Sequence, residues 1–369
     1  MKAIVIVANG WNASWLGCYG NEWLSTPNLD RLAVESVVFD QHFTTSPSRS
    51  KWFQGISAPW FQSLRERGTK LITIRDRPCQ DPPKTWDEII EVAIAADEPP
   101  GEAMFKAIRE TTPSIAREEH WLMWIETDRL LPPWSVSLDF FDEYGKNLPP
   151  NDDDTTPLPW DEPPHGPIEL DAFQRERLQA TFAAVVTEWD HDLGTWFAFF
   201  RDQGLADAAT WIITSSHGVS LGEHQWVGPT ADRLFEECTH VPLLIRLPLG
   251  VQGETRVPAL TASSDLSVIL SDLPANLLKP LPRVTLCQEA CNGGGWAIRT
   301  EEWALLSDAP AAKIFRKPED RWEVNDLRQQ HLEWAEYLES FRLEVKQAEE
   351  KNEPPPTLRH YDDAKQEEE

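Results

Sequence analysis

The sequence has few basic residues, few cysteines and no long apolar run. Its 369 residues include 34 Lys and Arg against 61 Asp and Glu, a formal net charge of −27 at pH 7. This acidic excess predicts no nucleic-acid partner and no anionic membrane surface, because both are polyanions. The five cysteines are unevenly spaced and do not form the pattern of a disulfide framework. No stretch approaches the roughly 20 apolar residues that a membrane span needs, so we expect no membrane partner.

The start of the sequence lacks the features of an export signal. Lys2 is a lone basic residue, and the apolar run after it is short. That run ends in Asn9 and Gly10 instead of a small-residue cleavage site. We therefore expect a cytoplasmic protein.

Apolar strands and amphipathic helices alternate along most of the chain. Residues 2–8 form a continuous apolar, β-branched run, which is typical of a strand buried on both faces of a parallel sheet. Residues 37–43 and 209–214 are similar, and residues 169–200 have the apolar periodicity of a long helix. We predict an α/β fold with a mostly parallel central sheet, helices on both faces, and a small C-terminal antiparallel sheet with a closing helix.

Composition divides the chain into three regions. We predict an α/β domain over residues 1–281, a small C-terminal subdomain over 282–343 and an acidic, disordered tail over 344–369. Three local predictions are a helix over 86–96, irregular proline-rich covering over 131–167, and a loop followed by a helix over 257–277.

Several motifs occur in the order and approximate spacing of a known family. They are the opening strand, LGCYGN at 16–21, TPNLDRLA at 26–33, SPSR at 46–49, TSSHGVSLGEH at 214–224 and EECTHVPLLIRLP at 236–248. In these motifs the chain resembles the sulfatase family of the alkaline-phosphatase-like superfamily, from its first residue to about residue 343. The resemblance implies sulfuric-ester hydrolase ancestry, in which a divalent metal on oxygen ligands neutralises the ester and positions the nucleophile.

The family's metal-ligand positions carry different residues in this chain. Two carboxylates are expected directly after the first strand, and Asn9 and Gly10 stand there instead. A third carboxylate is expected after the late strand, where this chain has Ser216. A hard dication in such a neutral cage loses its main attraction, so we predict no metal and no other cofactor.

The family's nucleophile position is also substituted. The family oxidises a Cys or Ser there to a formylglycine, whereas this chain has Thr45, which would give a ketone on oxidation. Arg49 and His217 match the family's supporting arginine and its late-strand histidine or asparagine. Thr45, Arg49 and His217 are therefore the family-equivalent catalytic residues of a protein that we expect to be catalytically impaired.

Three functions remain open on the sequence alone. The first is a sulfatase-like protein that binds, scaffolds or regulates. The second is an active sulfate or phosphate ester hydrolase in which Thr45 attacks with His217 as base. Only this second function would need calcium or magnesium. The third is a structural subunit that pairs with an active sulfatase relative.

Arg49, Ser216 and His217 are also candidate anion-binding residues. Charge-assisted hydrogen bonds from them would hold sulfate, phosphate, carboxylate or a sulfated ligand weakly, on the order of millimolar. We expect this binding to strengthen below about pH 6.5, as a histidine with ordinary surroundings gains its proton. The alternative is an Arg49 locked into an ion pair with a neighbouring carboxylate.

Overall fold

The structure is a computed structural model that describes most of the chain. It covers residues 1–78, 85–94, 99–149, 157–271, 273, 277–278, 285–307, 311–351, 353 and 356–359, with the backbone alone at 57–59, 271 and 349. In these ranges it contains 15 strands: β1 Lys2–Ala8, β2 Val37–Phe43, β3 Lys70–Arg75, β4 Glu88–Glu91, β5 Trp121–Thr127, β6 Gly166–Pro167, β7 Thr210–Thr214, β8 Ser220–Leu221, β9 Trp226–Gly228, β10 Leu243–Arg246, β11 Thr255–Ala262, β12 Leu286–Glu289, β13 Trp296–Arg299, β14 Trp303–Ser307 and β15 Lys313–Arg316. The same ranges contain eight α-helices: α1 Pro27–Val34, α2 Arg49–Glu66, α3 Pro100–Ile115, α4 Leu138–Gly145, α5 Ala172–Asp202, α6 Glu236–Thr239, α7 Leu266–Ser271 and α8 Leu332–Lys351.

The central sheet has eight strands in the order β11-β2-β10-β7-β1-β5-β3-β4. Within it, β10 runs antiparallel to both of its neighbours, and the other neighbouring strands pair in parallel. The predicted mostly parallel sheet is thereby confirmed. A three-stranded sheet of order β6-β9-β8 lies beside it.

Both faces of the central sheet are covered, as the apolar character of β1 requires. Ile4, Ile6 and Ala8 join a core that includes the buried residues of α5. The alternate residues of β1 join a second core that includes Trp52 and Phe53 of α2. Successive side chains of a strand point to opposite faces, so one apolar run serves two helical layers.

The C-terminal region is a four-stranded antiparallel sheet, β12-β13-β14-β15, with α8 packed against it. This part of the predicted fold is confirmed. Its other face packs on Leu234 and Phe235, which directly precede α6. The boundary predicted at residue 281 lies outside the described residues.

The last helix extends into the region predicted to be a disordered tail. The prediction of disorder from residue 344 is wrong in its first part, because α8 continues to Lys351. Its apolar positions continue the stripe that packs on the small sheet, with Phe341, Val345 and Ala348 all buried. Burial of that stripe outweighs the acidic composition of the surrounding residues.

Three local predictions are wrong in part, although the helix predicted within 257–277 is present as α7. Part of the predicted helix over 86–96 is the edge strand β4, whose backbone pairs with β3. The predicted irregular stretch contains α4, because Phe141 packs against Ala180 and Ala184 of α5. The predicted loop after residue 257 is occupied by β11, which pairs with β2 at the other edge of the sheet. Tertiary pairing overrides local propensity in all three cases.

In the described residues, no helix is both long enough and apolar enough to cross a membrane.

Candidate functional site

The ends of three adjacent parallel strands bring four of the predicted site residues together: Asn9, Gly10, Ser216 and His217. Asn9 follows β1, and its backbone N–H donates to the carbonyl of Thr127, the last residue of β5, at 2.9 Å. Gly10 donates in the same way to the carbonyl of His217, just beyond β7, also at 2.9 Å. The carboxyl ends of β1, β5 and β7 therefore form one edge, as expected for a parallel sheet.

The Asn9 amide is the centre of a buried hydrogen-bond cluster. Its Nδ2 donates to Asp128 Oδ1 at 2.8 Å and to Glu126 Oε1 at 3.2 Å. Its Oδ1 accepts a short hydrogen bond from the hydroxyl of Ser216. A carboxylate at position 9 would have no protons for Glu126 and Asp128 and would repel both. The amide fits this environment, whereas the family's aspartate would not.

Position 10 has no room for a side chain. Gly10 has φ +91°, and a Cβ there would lie 2.6 Å from Leu131 Cδ2 and 2.9 Å from the Leu130 carbonyl oxygen. Both the backbone conformation and the close approach exclude the second carboxylate of the family.

Arg49 is ion-paired. It is the first residue of α2, and its Nε contacts Glu126 Oε1, while its Nη1 lies 3.9 Å from Asp128 Oδ2. The side chains of Arg49, Glu126 and Asp128 are 20%, 6% and 10% exposed, so water screens this pairing weakly. Of the two alternatives for Arg49, the geometry favours the structural ion pair.

Two further charged residues extend this group. Arg77 Nε lies 3.5 Å from Asp128 Oδ2. Asp76 accepts hydrogen bonds from the Thr127 hydroxyl and, at 3.1 Å, from the Asp128 backbone N–H. Burial raises the pKa of the Asp76 carboxyl above its ordinary value. With Asp76 ionised, three carboxylates face two guanidiniums, a balance that does not attract an anion.

His217 is neutral over most of the pH range. Burial lowers its pKa to about 4, with the Arg49 charge acting in the same direction and Asp128 opposing it. Its Nδ1 lies 2.8 Å from the hydroxyl oxygen of Ser216. The expectation that it would charge below about pH 6.5 assumed ordinary surroundings, and this buried histidine does not have them.

Thr45 contacts the residue that follows β11. Its hydroxyl is 3.3 Å from the hydroxyl of Ser263, which also accepts from the Thr45 backbone N–H at 3.2 Å. Ser263 directly follows β11. Because this partner is neither a base nor a cation, it leaves Thr45 the reactivity of an ordinary alcohol.

The residues present do not fit the divalent metal that the resemblance implies. The Asn9 oxygen accepts from Ser216, position 10 has no side chain, and Glu126 and Asp128 are paired with Arg49. Across the described ranges, no three His, Cys, Asp or Glu side chains form a group suited to a metal ion. A guanidinium and two carboxylates make up a closed cluster at this edge of the sheet.

The carboxylates of this cluster were not among the site residues predicted from the sequence. Glu126 and Asp128 stand at the end of an apolar run, WLMWIETD, and Asp76 follows another, LITIRD. Carboxylates that directly follow buried parallel strands are a usable signal, because such strand ends lie at the ligand-binding edge. The resemblance directed attention to the family's own positions instead.

Comparisons with curated proteins give partial matches to sulfatases. No family profile matches the chain. Iduronate 2-sulfatase of Homo sapiens is 34% identical over 113 residues, which are 29% of this chain and 20% of that protein. N-acetylglucosamine-6-O-sulfatase of Bacteroides thetaiotaomicron is 22% identical over 189 residues, 43% of this chain and 32% of that protein. The chain thus spans about a fifth to a third of the length of these relatives.

Comparison with solved structures gives the class of fold. The phosphonate monoester hydrolase of Agrobacterium radiobacter superposes with a TM-score of 0.70 at 16% identity, covering 93% of this chain and 95% of that one. At this identity the likeness establishes the fold and leaves the activity open. The chain has the sulfatase and alkaline-phosphatase-like fold, as the sequence motifs predicted.

Proposed function

We propose that this chain is a sulfatase-like protein that does not hydrolyse esters and acts as a binding, scaffolding or regulatory paralogue. The observation that carries the proposal is the ion pair of Arg49 with Glu126 and Asp128, to both of which Asn9 donates. In this cluster the positive charge comes from the guanidinium of Arg49, which two carboxylates hold in place. In the family a metal ion supplies that charge.

The chemistry of ester hydrolysis explains why this exchange impairs catalysis. A guanidinium held by two carboxylates has little remaining field with which to neutralise a developing oxyanion. Nor can it lower the pKa of a hydroxyl as a bound dication does. Metal and nucleophile act as one unit, so losing both removes far more activity than either loss alone suggests.

The alternative is an active sulfate or phosphate ester hydrolase with Thr45 as nucleophile and His217 as base. The low pKa of His217, about 4, makes it a weak base at neutral pH. The contact of Thr45 with Ser263 gives the hydroxyl no activating partner. Both observations support the impaired protein over the alternative.

The test is turnover of aryl sulfate and aryl phosphate esters by the purified chain, with calcium, magnesium, manganese or zinc added in turn. We expect no turnover above buffer with any metal. Thr45→Ala is the matched control, because it removes the hydroxyl on which the alternative depends. Metal-dependent hydrolysis that disappears in Thr45→Ala would overturn the proposal.

The partner and the location belong to the same proposal. A paralogue of this kind would pair with an active sulfatase relative or hold a small anion or sulfated ligand weakly. Pairing is tested by mixing the chain with a purified active sulfatase in analytical ultracentrifugation, where a heavier species supports it and two unchanged species contradict it. A cytoplasmic location is tested by cell fractionation with an antibody to the chain.

A further inference from the structure

A cavity of about 380 Å³ lies between the central sheet and the C-terminal sheet. Its lining includes Asp40, Gln41 and Phe43 from β2, Trp303 from β14, and Arg321 and Trp322 from the loop after β15. The cavity is lined by none of the residues of the strand-edge cluster, which we define as Asn9, Arg49, Glu126, Asp128, Ser216 and His217. The volume is in the range of small-molecule sites.

Most of the charged side chains around this cavity form ion pairs with one another. Arg256 Nε donates to Asp40 at 2.8 Å, and Arg299 Nη1 donates to Glu323 at 2.6 Å. Lys317 contacts Glu236 and also donates to the Asp320 carbonyl at 3.0 Å. Of these pairs, Lys317 with Glu236 links the C-terminal region to α6, and the others lie within one region; all have few donors left for a ligand.

Arg321 and Gln41 differ from these pairs. Among the described residues, Arg321 has no carboxylate within ion-pair distance, and the Gln41 side-chain amide has no hydrogen-bond partner. The Arg321 guanidinium lies 4.7 Å from the centroid of the Trp322 ring, and Trp322 is 52% exposed. Together they offer a ligand one cationic group and one aromatic face among the residues that line the cavity.

The lining also has a different charge balance from the rest of the chain. It carries four cationic side chains, Arg256, Arg299, Lys317 and Arg321, and three carboxylates, Asp40, Glu236 and Glu237. Glu323, which pairs with Arg299 and Lys317 behind the lining, makes this group neutral overall in a chain whose net charge is −27. The inner lining adds the aromatic rings of Tyr19, Phe43 and Trp303.

We propose that this cavity binds a small organic anion with a flat ring. The anionic group pairs with Arg321 and accepts from Gln41, and the ring contacts Trp322 and the aromatic lining. An inorganic anion would not cover the aromatic surface, and a neutral ring would give Arg321 no anionic partner. A ring-bearing anion satisfies both. The site is independent of the strand-edge cluster and of whether the protein hydrolyses esters.

Isothermal titration of the full chain with naphthalene-2-sulfonate tests the proposal, since this probe is a ring-bearing anion that sulfatase chemistry cannot cleave. Naphthalene-2-sulfonamide supplies the same ring without the charge, and inorganic sulfate supplies the charge without the ring. We expect the sulfonate to bind at least roughly tenfold more tightly than either, with an affinity that falls as salt rises.

Matched variants locate the binding. We expect Arg321→Gln to weaken sulfonate binding roughly tenfold and Trp322→Ala to weaken it roughly fivefold. Trp23→Ala is the control, because Trp23 is also 52% exposed but lies outside the cavity lining. Arg49→Gln should leave binding unchanged, which separates this site from the strand-edge cluster.

Three results would overturn the proposal. They are no sulfonate binding at all, equal binding of sulfonate and sulfonamide, or wild-type affinity in Arg321→Gln. Loss of binding in Arg49→Gln would place the anion in the strand-edge cluster instead. An unchanged circular dichroism spectrum and melting temperature of Arg321→Gln would show that a loss of binding is not a loss of fold.

Discussion

The strand-edge cluster and the cavity each contain an arginine side chain, but the two arginines differ in whether a carboxylate pairs with them. Each site has a guanidinium, Arg49 in the strand-edge cluster and Arg321 at the cavity between the two sheets. Arg49 is largely buried and ion-paired with Glu126, whereas Arg321 is exposed and lies beside Trp322. A cation attracts a ligand only where no internal carboxylate has already neutralised it. The strand-edge cluster is therefore closed and the cavity is open, which is the reverse of what the sulfatase resemblance suggests.

The change with the largest expected effect is Glu126→Gln, which removes a carboxylate from the strand-edge cluster. Losing the closer partner of a buried pair leaves Arg49 with the more distant carboxylate of Asp128, and we expect the free energy of unfolding to fall by about 3 kcal/mol. The same variant should acquire weak sulfate binding, because the carboxylate that contacts Arg49 most closely is gone. Urea unfolding and sulfate titration measure the two effects. Glu88→Gln, at an exposed position of β4, is the control. A Glu126→Gln protein as stable as the control would show that the pair contributes nothing.

The pKa of His217 measures how completely the strand-edge cluster is desolvated. Its folded pKa of about 4 lies below the ordinary value of 6.5, so the unfolded state binds the proton first as pH falls. Stability from this group is therefore present above pH 6.5 and is lost as pH falls towards about 4. We expect a difference of roughly 2–3 kcal/mol across this window.

His217→Asn isolates that contribution from other titrating groups. The raised pKa of Glu223, about 7 through burial, acts with the opposite sign over nearly the same pH range, so wild-type stability alone is ambiguous. The stability gap between wild type and His217→Asn should narrow between pH 7 and pH 4 in urea unfolding. A gap that stays constant would mean that His217 titrates normally and is not desolvated.

Gly10→Ala tests the packing that excludes a carboxylate from position 10. Gly20 has the same φ of +91°, but a Cβ there would meet nothing within 4 Å. Gly20→Ala therefore measures backbone strain alone, and Gly10→Ala adds the clash with Leu130 and Leu131. We expect Gly10→Ala to be less stable than Gly20→Ala by about 2 kcal/mol in urea unfolding. Equal losses would show that position 10 can accept a side chain.

The smallest expected effect is a gain of metal binding in Arg49→Ala. Removing the guanidinium leaves Glu126 and Asp128 without their cation, beside the Asn9 amide. Calcium or magnesium at ten times its dissociation constant should then stabilise the variant by about 1.4 kcal/mol. Wild type in the same thermal scan should show no shift. A wild-type shift equal to that of the variant would contradict the exchange of metal for guanidinium.

The sequence was sufficient for the fold because its signals were local and repeated. The apolar runs of β1 and β5 and the long periodicity of α5 each specify an element without knowledge of its neighbours. β4 is only four residues long and pairs through its backbone, so its strand character depends on β3. The last turns of α8 depend in the same way on the small sheet that buries them.

The site was only partly predictable, because its chemistry depends on which strands are neighbours. The substitutions at positions 9, 10 and 216 are visible in the sequence. That β1 lies beside β5, so that Asn9 meets Glu126, is a property of sheet order. Whether Arg49 is available to a ligand depends on Glu126 and Asp128, and these residues follow it in the sequence by 77 and 79 positions.

The central claim is that a guanidinium, and not a metal ion, holds the carboxylates at the strand edge. Its most direct test is elemental analysis of the full chain after equilibration with calcium, magnesium, manganese and zinc, followed by removal of loosely held ions by gel filtration. We expect less than about 0.1 tightly held metal per chain, since a closed ion-pair cluster presents no free ligand set. About one metal ion per chain, lost in Asn9→Ala, would contradict the claim.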